Sequence, residues 1–500
     1  MLVKPGIEDI RLVLYYIGRV IVIVGISLCL PLLTAIFFKE KAPLMDFLLS
    51  LGVFLNIGFF LVLVFKIKKE LRWVHAMLIV SLSWIFMAIL GAIPLYLSGH
   101  WRSFLDAVFD AMSGFATTGL TLVQDLDHLS MAHQMWRHLM MFIGGQGVII
   151  MALTLLGPGV SGVFRIYVGE AREEKIFPNV IETVRFIWFI SIFYLMVGTL
   201  ILGSIALLEG IPLKHAFFHG LWLFMAAFDT GGFAPHSQNI LYYHSFFLEL
   251  ATIFMMFLGV INFKLQYSLL TGKRKEFWRD IEIITFSSTV IFTFFLVALG
   301  LAKTNTYPQA IAMFRKGFYQ LISGHSGTGY MTVSSAELRN YWPSLSLLGL
   351  IIAMSIGGAT CSTTGGIKAL RIGLVFKALI QDVKQLMQSD NSIVVVKFHH
   401  IRDLVLEDRY VRSAAIIFIA YLMLYFLGTI VGMLCGYPFL ESLFESTSAG
   451  ANVGLSCGIT STHMPVALKL TYILQMWLGR LEFVSVFTLI GFIIAYFRGK

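Results

Sequence analysis

Charged residues are scarce in this chain: Asp, Glu, Lys and Arg make up 13% of its 500 residues, whereas 58% of the residues are hydrophobic. About a quarter of the residues of a soluble domain are charged, so the composition excludes an ordinary soluble fold. Apolar stretches of about 20 residues, long enough to cross a hydrocarbon core of ~30 Å, recur along the whole sequence. The chain is therefore predicted to cross a membrane many times.

Cysteine is also rare, and its spacing argues against two kinds of site. The four cysteines fit neither a metal site nor a disulfide framework. Cys435 and Cys457 could lie on the same membrane face, and the sequence leaves open whether they pair. A glycine fingerprint for nucleotides is missing as well, so we expect no organic cofactor on this chain. No short segment with a cleavage site precedes the first long apolar stretch, and we expect a retained N-terminal span.

Basic residues cluster on only one side of the predicted membrane. The formal net charge is +9, and an N-terminus inside the cell places the basic clusters within 66–72, 273–279 and 368–412 in the cytoplasm. On the opposite side, the segment from Asp229 to Tyr243 contains no Lys or Arg. This distribution satisfies the positive-inside rule, by which cytoplasmic loops carry an excess of Lys and Arg. The charge therefore indicates orientation, with both termini cytoplasmic, and we expect a lipid membrane and no nucleic acid as partner.

Ten long apolar segments are predicted as spans: 13–37, 44–65, 73–97, 135–157, 185–208, 244–270, 284–300, 345–380, 412–434 and 467–497. Four shorter ones are too short to cross, and each runs into a polar stretch with glycine: 103–116, 214–228, 309–326 and 438–451. Non-helical backbone at membrane depth is tolerated only inside protein or around a water-filled cavity. The short segments are therefore predicted as re-entrant helices around one shared cavity.

The four polar stretches align without gaps on a central glycine. Each has an aromatic residue ten positions earlier, two small residues six and five positions earlier, and a large apolar residue directly after the glycine. The aligned loop residues are Thr117, Thr118 and Gly119; Thr230, Gly231 and Gly232; Gly327, Thr328 and Gly329; and Asn452, Val453 and Gly454. Each interval between these glycines holds two spans and one re-entrant segment, so the repeating unit is span, pore helix, loop, span.

Two crossings in each unit leave all four units in the same orientation, unlike the inverted repeats of many carriers. We predict an all-α polytopic membrane protein of four fused repeats with pseudo-fourfold symmetry and two extra N-terminal transmembrane helices. The extra helices occupy residues 1–72, and the repeats occupy 73–160, 161–275, 276–405 and 406–500. A ring of four such loops encloses a single axial path.

The loop chemistry favours potassium. Inward-facing backbone carbonyls can replace the hydration shell of K⁺, and glycine permits the left-handed conformations that aim successive carbonyls at one axis. Asp229 precedes the second loop. It is interpreted as a pore-helix cap or solvated mouth residue, with attraction of cations as the alternative.

A run of small and polar residues, 355–366, interrupts the span after the third loop. It predicts either a flexible gate beneath the ring of four loops or small-residue packing between helices. The gate residues would be Gly357, Gly358, Ser362, Thr363, Gly365 and Gly366. Arg480, near the middle of the last span, must face water or a partner there, and Glu482 is poorly placed to pair with it. Lys368 and Arg371 are interpreted as snorkelling side chains at a span end, with relay of partner movements to the gate as the alternative.

These motifs resemble the TrkH/KtrB/HKT superfamily of potassium transporters, and among them the TrkH type, over nearly the whole length. The likeness is carried by the first two loops, by the glycines near 144–147 and in the run 355–366, and by Gly479, Arg480, Leu481 and Glu482. The resemblance implies K⁺ ions at the loops, an arginine barrier beneath them, a homodimer and a cytosolic TrkA-type (RCK) nucleotide-binding ring. It also implies a prokaryotic plasma membrane. The fourth loop departs from the family, since Ala451 and Leu455 stand where Asn and Pro are frequent.

Two other classes of function remain open. A coupled K⁺/Na⁺ or K⁺/H⁺ carrier is the nearer alternative to a channel, and only a measurement of coupling separates the two. A membrane enzyme would need clustered His, Asp or Cys at one interface. We find no such cluster in the sequence, because His399 and His400 form a lone pair within a segment, 375–408, that is predicted as a surface helix and loop.

Overall fold

The computed structural model describes residues 6–147, 179–389 and 394–498, together with 165, 168, 176 and 177. Within these ranges six helices are long and apolar enough to cross a membrane, and two bent helix pairs bring the number of spans to as many as eight. Many large apolar side chains on the long helices remain exposed, for example Phe60, Phe189 and Ile291. A lipid bilayer would cover such faces, and the chain is a multi-pass membrane protein.

Three helices precede the repeats: α1 (Ile7–Ser27), α2 (Cys29–Phe38) and α3 (Lys41–Val64). Helices α1 and α2 together form one apolar segment of 32 residues. Helices α1 and α3 approach closely where Gly18 meets Gly58, because a β-carbon at Gly18 would lie 2.9 Å from the Gly58 carbonyl oxygen. Small residues at a helix contact permit this approach within a membrane.

The same order of elements then occurs four times. The first repeat contains α4 (Trp73–Leu97), the pore helix α5 (Phe104–Phe115) and α6 (Met131–Gln146). The second contains α7 (Val180–Leu208), the pore helix α8 (Leu213–Phe228), a 3₁₀ turn (Asn239–Tyr243), α9 (Phe246–Val260) and α10 (Phe263–Leu270), and the connector α11 (Arg274–Arg279) follows it.

The third repeat has a pore helix in three parts. It contains α12 (Ile281–Lys303), then α13 (Ala310–Ala312), a π-helical segment (Met313–Phe318) and α14 (Tyr319–His325), then α15 (Ser335–Tyr341), α16 (Ser344–Ser355) and α17 (Ala369–Leu386). The fourth contains α18 (Asp408–Leu434), the pore helix α19 (Phe439–Gly450), α20 (Val466–Arg480) and α21 (Val484–Arg498). The predicted all-α fold of four repeats with extra N-terminal helices is confirmed.

In each repeat, the membrane helix that follows the loop ends at nearly the same distance after the loop glycine. These helices end at Gln146, Val260, Ser355 and Arg480. The predicted break within 345–380 is present, because α16 ends at Ser355 and α17 begins at Ala369. The segments 244–270 and 467–497, predicted as continuous spans, are instead pairs bent by 104° and 110°. The side chain of Asn262 caps α10 and starts a new helix there, and Glu482 and Phe483 have left-handed backbone angles between α20 and α21. The predicted span 135–157 is described only as far as Gly147, and its remainder lies outside the described residues.

A short antiparallel hairpin stands in the segment that was predicted as surface helix and loop. Strands β1 (Lys397–His400) and β2 (Arg402–Val405) pair with Lys397 opposite Val405. Its alternating apolar and charged residues suit a half-buried strand better than a helix. Phe398 is buried in a cluster with Ile281 and Leu374, which places the hairpin against the N-terminal parts of α12 and α17.

Candidate functional site

Each pore helix ends just before a loop, so its negative C-terminal end points toward that loop. The aromatic residues ten positions before the loop glycines are all at most 1% exposed: Phe109, Trp222, Tyr319 and Phe444. The apolar residues directly after the glycines are at most 2% exposed: Leu120, Phe233, Tyr330 and Leu455. The repeated aromatic and apolar positions therefore anchor both ends of every loop in the core.

The same hydrogen bond closes all four loops. The amide of the residue before the central glycine donates to the carbonyl five residues earlier, at 2.8–3.0 Å. The donor and acceptor pairs are Thr118 to Ser113, Gly231 to Ala226, Thr328 to Ser323, and Val453 to Ser448. In two loops the glycine amide also donates to a serine hydroxyl at 3.0 Å, from Gly119 to Ser113 and from Gly454 to Ser448. The small residue six positions before each central glycine thus accepts a hydrogen bond from its loop.

The loops also share an unusual backbone conformation. The central glycines have φ between 73° and 95°, and the residues two positions earlier, Thr117, Thr230, Gly327 and Asn452, have φ between 51° and 74°. Three of the latter are not glycines, although left-handed angles cost such residues roughly 1–2 kcal/mol. Each loop therefore has left-handed backbone at the same two positions, and such backbone can aim successive carbonyls toward one axis.

The loop glycines form a closed ring. A β-carbon added to Gly119 would overlap the carbonyl oxygen of residue 231 in the second loop, and one on Gly232 would overlap that of residue 328 in the third. One on Gly329 would overlap that of residue 453 in the fourth, and one on Gly454 would overlap that of residue 118 in the first. Each glycine therefore packs against the carbonyl just before the next glycine, in chain order, around a common centre.

A cavity of about 310 Å³ opens on one side of this ring and is lined by all four central glycines. Arg137 also lines the cavity and is 1% exposed. Its Cζ atom lies 4.1 Å from the centre of the Phe233 ring. Its guanidinium donates to the side chain of Gln134 at 3.1 Å. Arg137 was not among the predicted site residues, although an arginine in a predicted span is a signal for a functional site.

The segments that follow the first two loops are tied together near this cavity. Ser237 donates from its amide and its hydroxyl to Asp127, at 3.0 and 2.5 Å, and His236 lies 3.2 Å from the same carboxylate. Burial raises the pKa of Asp127, but the hydrogen bonds of Ser237 and His236 outweigh it and leave this pKa below its usual value. The link is therefore present near neutral pH and is lost as the pH falls through the lowered pKa.

The run 355–366 lies on the other side of the ring, directly against the loops. The Thr363 hydroxyl donates to the carbonyls of Phe228 and Gly259 at 2.8 and 3.0 Å. A β-carbon on Gly365 would overlap the carbonyl of Ala451, just before the fourth loop. Internal bonds order the run itself, since the Gly357 amide donates to the Ile367 carbonyl at 2.9 Å. Small residues are thus required here by close contact, and the run has a defined conformation.

Arg480 joins this run to the first loop. Its guanidinium donates to the Thr117 hydroxyl at 2.9 Å, to the Thr363 carbonyl at 2.7 Å and to the Gly144 carbonyl at 2.6 Å. It also borders a cavity of only about 30 Å³ that Ser362 and Thr364 help to line. A cavity of this size holds one or two water molecules. The arginine thus lies between the ring and the small cavity.

Lys368 and Arg371 do not snorkel as predicted. Lys368 is 5% exposed, and its ammonium donates to the carbonyl and hydroxyl oxygens of Thr364 within the run. Arg371 forms an ion pair with Glu482, just after the arginine in α20. Both side chains are therefore held by polar partners inside the protein.

Asp229 is fully buried rather than solvated, and its carboxylate accepts a hydrogen bond of 2.9 Å from the Gln146 side chain. It packs beside Gly145, where a β-carbon would overlap the carboxylate. The solvated-mouth interpretation is therefore wrong. Asp229 is the C-cap residue of the second pore helix, and its backbone amide donates to that helix. Cys435 and Cys457 are free thiols.

Comparison with known proteins places this ring in a family. A family model for TrkH, described as a cation transport protein, matches residues 49–494. The chain belongs to the TrkH family. The predicted resemblance is confirmed.

Relatives of the TrkH family match along nearly the whole chain. A cation transporter of Methanocaldococcus jannaschii, named as uncharacterized, is 31% identical and covers 98% of this chain and 97% of its own length. The Trk system potassium uptake protein TrkG of Escherichia coli is 29% identical and covers 96% and 98%. The crystal structure of the potassium transporter TrkH from Vibrio parahaemolyticus superposes with a TM-score of 0.81 at 24% identity, over 96% and 98% of the two chains. This last likeness establishes the fold.

Proposed function

We propose that this TrkH-family protein takes up potassium by conducting K⁺ through the ring of four loops. The closed ring of glycines and carbonyls carries the proposal, because a dehydrated K⁺ needs several oxygens of similar field around it. Relatives that are named potassium uptake proteins support K⁺ as the transported ion.

The proposed ion ligands are the backbone carbonyls of the loop residues. These are Thr117, Thr118 and Gly119; Thr230, Gly231 and Gly232; Gly327, Thr328 and Gly329; and Asn452, Val453 and Gly454. The C-terminal ends of four pore helices add a potential that is favourable for a cation. The four loops differ in side chains, so we expect a filter of moderate selectivity for K⁺ over Na⁺.

We assign the gate to the run 355–366 and an electrostatic barrier to Arg480. The proposed gate residues are Gly357, Gly358, Ser362, Thr363, Gly365 and Gly366. The contacts of Thr363 and Gly365 with the loops support a blocked path, as does the small size of the cavity beside Arg480. Shortening this run is expected to raise ion flux, and unchanged flux in folded protein would argue against a gate.

The remaining assignments follow the resemblance and the charge distribution. They are repeats at 73–160, 161–275, 276–405 and 406–500, a homodimer in a prokaryotic plasma membrane with both termini cytoplasmic, and a TrkA-type nucleotide-binding ring as cytosolic partner. The clusters of basic residues on one face support this orientation. Chemical cross-linking of the purified chain under reducing conditions tests the dimer, which should appear as a species of twice the chain mass.

Flux through proteoliposomes tests the proposal. With K⁺, Rb⁺, Na⁺ and Li⁺ at equal gradients, K⁺ and Rb⁺ should pass faster than Na⁺ and Li⁺. Equal rates for all four ions, or preference for Li⁺, would contradict the proposed filter. Current recordings separate a channel from a coupled carrier: the reversal potential should follow the K⁺ gradient alone, whereas a carrier would shift it with the gradient of the coupled Na⁺ or H⁺.

A further inference from the structure

A cluster of three metal-ligating side chains lies at the start of α12, away from the ring. Asp280 is the N-cap of this helix, Glu282 lies in its first turn, and His400 ends strand β1. Their exposed fractions are 0%, 1% and 8%. Because they come from two separate parts of the chain, only the folded protein brings them together.

The ligand atoms of this cluster converge. The Nδ1 atom of His400 lies 3.2 Å from Oδ2 of Asp280 and 4.0 Å from Oε2 of Glu282, and one ligand atom from each residue lies within 4.8 Å of the others. Zn²⁺ binds nitrogen and carboxylate oxygen at about 2.1 Å, so ligands around a tetrahedral ion are separated by roughly 3.4 Å. The cluster needs only small side-chain shifts to reach that geometry.

Backbone amides hold both carboxylates in place. Asp280 accepts from the amides of Glu282 and Ile401 at 2.8 and 3.0 Å. Glu282 accepts from the amide of Thr360 through its other oxygen, Oε1, at 2.6 Å. Metal ligands in proteins are commonly oriented by such bonds. Two carboxylates buried this close together repel each other, and a bound cation would offset that repulsion.

We propose that Asp280, Glu282 and His400 bind a divalent transition-metal ion, with Zn²⁺ as the ion that best matches one imidazole and two carboxylates. The ion joins the cytoplasmic hairpin to the gate run, because Glu282 also holds Thr360 of that run. Metal binding stands independently of ion transport. The second consequence, that bound metal steadies the closed gate and lowers flux, rests on the proposed function.

Equilibrium dialysis of the purified full-length protein with Zn²⁺ tests the site. We expect one Zn²⁺ per chain, and at least tenfold weaker binding in His400→Gln and Glu282→Gln. The matched control is His399→Gln, since His399 lies on the same strand but bonds to Glu276 and Asp403 instead. X-ray absorption of the Zn²⁺-loaded wild type should show nitrogen and oxygen ligands, including one imidazole and no sulfur. Absence of stoichiometric Zn²⁺ in folded wild type, or equal binding by all variants, would overturn the site.

Proteoliposome flux then tests the link to the gate. Zn²⁺ should lower Rb⁺ flux in the wild type and in His399→Gln, and leave it unchanged in His400→Gln. Zn²⁺ binding without any effect on measurable flux would overturn the link and leave the site intact. A wild type without cation flux in any condition would instead count against the proposed transport function, while the dialysis result would still decide the metal site.

Discussion

Replacing Gly454 with alanine should weaken ion selectivity, because the new β-carbon would displace a backbone carbonyl of the neighbouring loop. Gly454 has φ +93°, so alanine there costs roughly 1–2 kcal/mol of conformational strain. Its new β-carbon would also overlap the carbonyl oxygen of residue 118, which must retreat by about 1 Å or more to reach an ordinary contact distance. A displaced carbonyl no longer matches the hydration shell of K⁺, and a loss of ~1.4 kcal/mol in discrimination is a tenfold loss of selectivity.

Gly436 provides the matched control. It has φ +91°, but a β-carbon there would meet no atom within 4 Å. Gly436→Ala therefore carries the same strain without the overlap. We expect Gly454→Ala to lose more thermal stability than Gly436→Ala, because its β-carbon also displaces backbone of the first loop. Only Gly454→Ala should lose about tenfold or more in the K⁺ to Na⁺ ratio of proteoliposome flux. Equal selectivity in Gly454→Ala and Gly436→Ala, with both folded, would refute the assignment of this carbonyl to the filter.

Three further substitutions test the gate and the loop support. Arg480→Gln should raise Rb⁺ flux, because it removes a positive charge. At an effective dielectric constant of 20, such a charge repels a cation about 4 Å away by roughly 4 kcal/mol. Arg480→Lys should restore the low flux, and wild-type flux in the glutamine variant would exclude the barrier. Lys368→Met should raise basal flux by releasing Thr364, whereas Lys384→Met, at an exposed position of the helix that Lys368 precedes, should not; equal flux in both would remove Lys368 from the gate. Ser113→Ala should lower the free energy of unfolding by about 0.5–1.5 kcal/mol through the lost bond to the first loop, measured by thermal melting; a shift of several kcal/mol would show a wider structural role.

The fold was predictable because its signals are repeated. One glycine in an apolar sequence is ambiguous, but four in the same context specify one unit, and the structure adds the same hydrogen bond in each. The hinge at Asn262 was not predictable because an apolar sequence surrounds it, and hydropathy alone does not distinguish a bent helix pair from one long span.

The interior polar contacts were less predictable. Lys368 stands at the end of an apolar stretch, where snorkelling is the usual outcome, and its bond to Thr364 depends on how the run 355–366 folds back. His400 and Asp280 are 120 positions apart in sequence, so their contact could not be read from local spacing. Such contacts depend on tertiary packing, and a local pattern predicts a strand or helix without predicting which distant residue it will contact.

The position of a bound ion tests the central claim most directly. A crystal structure of the purified protein in RbCl, recorded at the rubidium absorption edge, should show anomalous density on the axis between Gly119, Gly232, Gly329 and Gly454. Exchange of RbCl for NaCl should remove that density. Rubidium bound only elsewhere in a well-ordered structure, or an empty ring at Rb⁺ concentrations that sustain flux, would contradict the account.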